Sequence, residues 1–296
     1  MEPRQVPDDT EKTPQLEVQL TPPAPSVPFY PPDSLTVGVE SSSQEHPVLS
    51  DNVEPWPPQP PDVDLSDAIT DTEQKPFATG SFSQIHVYKG NRALKHGANP
   101  RELVLMRQAG ECSVQAFGRV MMKDKKTGVV WMTGMMMSLE RPLVVTKVEP
   151  NLRKHLMYQM IDLVHCLHHR YGIVHGDLKP DNMLLCSDGR LRFCDFAEAR
   201  PMNEDPELWE GQTTANYLAP DRNVNKPPTF SDDLYALGLS IWQLYTSKGP
   251  FEDWDVDDID AALARKETVD LSLVQDDDVR EIIKEYLRQG GALFDS

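Results

Sequence analysis

The residues whose types and spacing bear on chemistry lie between His175 and Asp195. Asp177, Lys179 and Asn182 place a carboxylate, an ammonium and an amide within six positions, and Asp195 adds a second carboxylate eighteen residues after the first. An in-line phosphoryl transfer uses such a set. A carboxylate orients the attacking hydroxyl, a cation meets the moving phosphate, and oxygen ligands hold Mg2+. The plainer reading of the segment is a turn capped by Asp and Asn side chains. Spacing argues for more than that. Met183-Leu184-Leu185 and Leu191-Arg192-Phe193 flank Ser187-Asp188-Gly189, a hairpin turn. Such a hairpin carries Asn182 and Asp195 to the same edge, where two oxygen ligands could share one metal ion.

These side chains need elements to hold them. Alternating apolar residues (Ile85, Val87, then Ala93, Leu94) around Gly90-Asn91 predict a hairpin. Leu103, Leu105, Met106 and Ala109 predict a short helix, and Val129 to Met137 a buried strand. Leu152, Leu156, Met160, Leu163, Val164 and Leu167 form a helical stripe over Leu152 to His169. Strands come first and helices after, which suits a small sheet-rich lobe followed by a larger helical one.

Before residue 76 the texture differs. That stretch holds 15 of the 26 prolines, with 3 basic and 15 acidic residues, so it contributes −12 of the formal charge of −18. Proline removes a backbone donor, and a charged segment with few large apolar residues cannot offset its ordering entropy. Residues 1–75 are therefore expected to be a disordered, acidic, proline-rich tail. Its PxxP spacings (Pro22 to Pro25, Pro55 to Pro58, Pro58 to Pro61) offer a polyproline II ligand to a proline-motif-binding partner, or serve as plain linker. The remaining charge is modestly acidic, so no nucleic-acid surface is expected. No apolar run approaches the roughly 20 residues of a membrane span, and no secretory signal is read at the N-terminus. Cys112, Cys166, Cys186 and Cys194 lack metal-ligand spacing and read as reduced structural thiols, which suits an intracellular protein, cytoplasmic or nuclear.

The segment Ile173 to Leu185, with His175-Gly176-Asp177-Leu178-Lys179-Pro180-Asp181-Asn182 at its centre, resembles the protein-kinase catalytic loop H-R-D-L-K-x-x-N. Cys194-Asp195-Phe196-Ala197 resembles the D-F-G element. Thr213 to Asp221 resembles the segment that ends in A-P-E, and Asp233 to Leu239 the start of the family's central buried helix. Ala78-Thr79-Gly80-Ser81-Phe82-Ser83-Gln84-Ile85 aligns with the glycine-rich loop G-x-G-x-x-G-x-V, and Ala93-Leu94-Lys95 with V-A-I-K. The wording is most similar to divergent serine/threonine kinases of filamentous fungi. The resemblance covers residues 76–296 and implies an α+β, two-lobed protein-kinase-like fold, with an N-lobe over about 76–140 and a C-lobe over about 141–296.

Roles follow from that resemblance. Asp177, Lys179 and Asn182 would be catalytic, and Asn182 and Asp195 would hold Mg2+. Lys95 would hold the α- and β-phosphates of ATP and pair with Glu102, at an interval of 7 residues, shorter than the family's usual one. Ala78, Gly80, Ser83 and Ile85 would cover the nucleotide, with Ala93 and Leu184 about the adenine. Met106, His175 and Phe196 would stack as the spine of the active arrangement. Asp233 would brace the catalytic-loop backbone. The implied activity is ATP-dependent phosphorylation of serine and threonine hydroxyls on proteins, since Lys179 and Thr214 match that branch. Asp181 and the acids at Glu204, Asp205, Glu207, Asp255, Asp257 and Asp258 suggest targets with basic neighbours, or plain solvated charge.

Four departures matter. Gly176 replaces the arginine that answers an activation-loop phosphate. With Glu210 four residues before Thr214, this suggests activity that is not gated by loop phosphorylation. Ala197 replaces the D-F-G glycine. Asp221 replaces a glutamate, shortening the arm toward an arginine such as Arg288. Only Gly80 of the three loop glycines is retained. The alternatives are a catalytically impaired pseudokinase scaffold and a small-molecule phosphotransferase of the aminoglycoside or choline kinase type, in which His-Gly-Asp is favoured.

Overall fold

A computed structural model describes residues 63–64, 76, 78–79, 83–88, 91–205, 214–220 and 222–294, with the backbone alone at 63–64 and 78–79. All fall within Trp56–Ser296. The expectations placed on the rest of the tail, on Gly80, Gly90, Glu207, Glu210, Thr213 and Asp221, lie outside the described residues.

The first part of the chain forms a six-stranded sheet: β1 (Val63–Asp64), β2 (Ala78–Thr79), β3 (Gln84–Tyr88), β4 (Arg92–His96), β5 (Ala116–Lys123) and β6 (Val130–Ser138). Their order across the sheet is β1-β5-β6-β4-β3-β2. The predicted hairpin is β3 and β4, with Ile85 opposite Lys95 and Val87 opposite Ala93. Asn91, at φ 58, takes the left-handed turn position that asparagine tolerates. The strand expected over Val129 to Met137 starts at Val130 and is buried only in its second half. Val129, Val130 and Trp131 are exposed because they form the solvent end of the β5/β6 hairpin, which closes where Asp124 N–H donates to the Val129 carbonyl. Composition assigned Val63–Asp64 to the tail, yet they pair parallel with Val120 and Met121 at the sheet edge.

Helix α1 (Pro100–Gln108) leaves β4 after only three residues. Asn99 caps it by accepting from Glu102 N–H at 2.7 Å, and Pro100 occupies the first turn, where a missing donor costs nothing. It buries Leu103, Leu105 and Met106. After β7 (Arg141–Pro142), helix α2 (Pro150–Tyr171) carries the predicted apolar stripe and ends at Gly172, which adopts φ 62.

Three short strand pairs then shape the loops. They use β8 (Ile173–Val174), β9 (Met183–Leu185), β10 (Leu191–Phe193) and β11 (Arg200–Pro201), with β8 against β11, β9 against β10, and β7 against β9. Helices α3 (Phe230–Thr246), α4 (Val256–Ala264) and α5 (Asp277–Gln289) complete the described fold. The capping box of Thr229 and Asp232 starts α3, whose side chains from Asp233 to Trp242 are buried save Leu234. The fold is thus α+β, a sheet-rich part followed by a helical one. No helix of the described residues is long and apolar enough to cross a membrane.

Candidate active site

The β9/β10 hairpin does what its spacing requires. Cys194 N–H donates to the Asn182 carbonyl at 2.9 Å, so the start of β9 and the end of β10 lie side by side. Asn182 and Asp195 therefore leave the same end of the hairpin. Asp195 sits at φ 59, a left-handed backbone costing about 1 kcal/mol or more for a residue with a Cβ. His175 anchors this corner. Its ring contacts Phe193 and Phe196 at centroid distances of 4.8 and 5.1 Å, and its Nε2 reaches the Cys194 carbonyl at 3.1 Å. Met106, His175 and Phe196 are all fully buried.

Asp177 gathers the second half of the site. Its Oδ2 accepts from Lys179 Nζ at 2.8 Å and from Asn182 Nδ2 at 2.9 Å, and its Oδ1 accepts from Thr214 Oγ1 at 2.6 Å. Lys179 also donates to Thr214 Oγ1 at 2.7 Å, and Asn182 Nδ2 to the Asp177 carbonyl at 2.7 Å. Burial alone would raise the Asp177 pKa. Lys179 and the Thr214 hydroxyl outweigh that and hold it below the ordinary 3.8.

Beneath lies Asp233 at the start of α3, 1% exposed. Its carboxylate accepts from His175 N–H at 2.7 Å, Gly176 N–H at 2.9 Å and His168 Nε2 at 2.8 Å. Two consecutive loop amides are thereby satisfied by one buried group, which fixes the loop's path. His168 gave no local signal in the sequence, since it lies 65 residues from Asp233.

In the sheet, Lys95 Nζ lies 2.5 Å from Glu102 Oε1 and 2.8 Å from Asp195 Oδ1. Burial would lower the Lys95 pKa, but the two carboxylates overcome it and push the value up, so the ammonium stays charged. The short interval from Lys95 to Glu102 thus does not prevent the pair. Burial pushes the Glu102 pKa up, against the pull of the Lys95 ammonium. Ala93, on the same face of β4 as Lys95, and Leu184 on β9 are buried in the main core, with Ile85 half-buried against it. Ser83 is half-buried just ahead of β3, and Ala78 pairs by backbone with Ile85.

Gly176 adopts φ +79, and a Cβ there would fall 2.5 Å from the Glu198 carbonyl and 2.9 Å from Pro228 Cγ. The position is built for glycine. The expected partner of Arg288 lies outside the described residues; Arg288 itself faces Glu285 at 3.9 Å and the Phe294 ring. Sequence reasoning missed the contacts of Arg101, which donates to the Ala199 carbonyl at 2.8 Å and meets Glu204 at 2.5 Å across 103 positions.

Hard oxygen donors suit Mg2+. Asp195 offers a carboxylate, and Asn182, its amide nitrogen committed to Asp177, offers its carbonyl oxygen.

Comparison with known proteins gives a match to the family model described as "Protein kinase domain" over residues 68–289. Over 87 residues the chain is 38% identical to cGMP-dependent protein kinase 2 of Rattus norvegicus, covering 29% of this chain and 11% of that protein. It is 34% identical over 96 residues to 3-phosphoinositide-dependent protein kinase 1 of Arabidopsis thaliana, covering 29% of this chain and 20% of that protein. With serine/threonine-protein kinase PKH3 of Eremothecium gossypii it shares 32% identity over 105 residues, 33% of this chain and 14% of that protein.

Proposed function

The chain belongs to the protein kinase family, and we propose that it transfers the γ-phosphate of ATP to serine or threonine hydroxyls of protein substrates. The observation that carries this reading is the convergence on Asp177: Lys179, Asn182 and Thr214 all bond its carboxylate within 2.6–2.9 Å. An ionised, oriented carboxylate can accept a hydrogen bond from the attacking hydroxyl. Lys179, fixed by the same carboxylate and by Thr214, presents a cation to the moving phosphate. Lys95 meets the α- and β-phosphates, and Glu102 keeps its ammonium from swinging away. Mg2+, when bound, offsets the phosphates' negative charge, and Asn182 and Asp195 would hold it. Gly80, with Ala78, Ser83 and Ile85, would cover the nucleotide, and Ala93 and Leu184 would flank adenine.

Asp181, Asp255, Asp257 and Asp258 are exposed, so substrates with basic residues near the target fit best. The free thiols Cys112, Cys166, Cys186 and Cys194 fit a reducing, intracellular setting. Val63–Asp64 pair with β5 and the family match begins at residue 68, so the domain starts ahead of residue 76, and the proline motifs between Pro22 and Pro61 would serve a separate partner.

The test is labelled ATP with Mg2+ on a degenerate peptide library, with Asp177→Asn in parallel. Labelling of serine and threonine that the variant loses supports the reading. Nucleotide-dependent thermal stabilisation without transfer makes the chain a scaffold, and transfer only to a small alcohol or amine makes it a metabolite kinase.

A further inference from the structure

Helix α1 is tied to the stretch after Asp195 at two places, both through Arg101, the neighbour of Glu102. Arg101 donates through Nη1 to the Ala199 carbonyl at 2.8 Å and through Nη2 to Glu204 Oε2 at 2.5 Å. Glu204 is held from its other side by Arg200, which is 4% exposed. Arg200 donates to the Glu204 carbonyl at 2.5 Å and to the Pro228 carbonyl at 3.4 Å. Its buried Nε, with no hydrogen-bond partner among the described residues, lies 3.9 Å from the Glu204 carboxylate.

A guanidinium taken out of water needs a nearby anion. Glu204 supplies it, and the same carboxylate reaches Arg101 on the helix that carries Glu102. A glutamate brings its carboxylate to this place without any covalent event, unlike a phosphorylated side chain. Gly176, whose Cβ position is filled by the Glu198 carbonyl, adds no cation there.

We propose that Glu204 is a positioning residue: clamped between Arg101 and Arg200, its carboxylate holds α1 so that Glu102 stays on Lys95, and the site is assembled without phosphorylation of the segment. This rests on the kinase reading above. Glu210, to which the sequence pointed, lies outside the described residues.

The test uses the full chain, treated with phosphatase, as wild type, Glu204→Gln, Arg101→Gln and the double variant. Peptide phosphorylation and hydrogen exchange of the 100–108 amides are both read. Wild type is expected to keep its turnover after phosphatase. Glu204→Gln should lower kcat about tenfold, within the range such couplings give, with the peptide KM within about twofold. It should also speed α1 exchange while α2 is unchanged, and the double variant should lose no more than Glu204→Gln alone. Loss of wild-type turnover on phosphatase treatment overturns the proposal, as do additive losses in the pair. So does any dissociation of the two readouts, with turnover lost and α1 exchange unchanged or the reverse. Should wild type transfer nothing, the kinase reading falls, and the exchange comparison alone decides whether Glu204 anchors α1.

Discussion

Glu102 follows Lys95 by seven residues, and its Oε1 still lies 2.5 Å from the lysine Nζ. The economy comes from the connection. Gly97 turns the chain at φ 81, Asn99 caps α1, and Glu102 falls in the first helical turn, from which a side chain leans back toward the N-terminal end.

Both members of that pair are buried, so truncating Glu102 removes one of the two carboxylates that offset the Lys95 charge. Glu102→Ala is expected to destabilise the fold by about 3 kcal/mol, with Asp195 left as the sole described partner of Lys95. Urea unfolding measures it; a loss below about 1 kcal/mol would show the pair to be energetically idle.

The titration of Asp177 lies well away from neutrality. Its pKa is depressed in the fold, so its contribution to stability is present above the unfolded value and is lost as pH falls through the folded one, below 3.8. The carboxylate therefore remains ionised throughout the mildly acidic range. From about pH 8 down to about 5 no fall in kcat/KM should trace to this group. An acid limb near neutrality that vanished in Asp177→Asn, measured on that variant's residual turnover, would contradict the assignment.

Asp233→Ala orphans two loop amides and His168 at once. With each unmet buried group costing about 1–3 kcal/mol, a loss on the order of 3 kcal/mol is expected in a thermal or chemical melt. Peptide transfer should fall as the loop loosens. Asp233→Asn, which keeps one acceptor oxygen, should lie between. A melt unchanged in Asp233→Ala would mean that water replaces the carboxylate.

Gly176→Ala separates two explanations for the missing arginine. If glycine is there by drift, alanine is neutral. The φ of +79 and the 2.5 Å approach to the Glu198 carbonyl instead call for destabilisation of at least about 1–2 kcal/mol. Equal stability of the two proteins would remove the steric account.

The sequence carried the local half of this site and little of the distant half. Asp177, Lys179 and Asn182 are close neighbours, and the 18-residue step to Asp195 is spanned by one hairpin, so spacing alone implies their convergence. The strand-to-helix order likewise foretold the α+β arrangement. Contacts such as His168 with Asp233, or Arg101 with Glu204, join residues 65 and 103 positions apart and leave no periodic trace. Tertiary packing decides them. Burial at β6 was misjudged at Val129 to Trp131 because a β-branched run reads alike whether it faces the core or ends in a hairpin.

The pairing of Val63–Asp64 with β5 has a practical side. Those two residues cover a flank whose amides and carbonyls would otherwise be open to another extended chain. A protein cut to begin at residue 76, where the composition changes, would lose that cover. It should then show sticky, concentration-dependent self-association, whereas one beginning near residue 60 should stay monodisperse in light scattering.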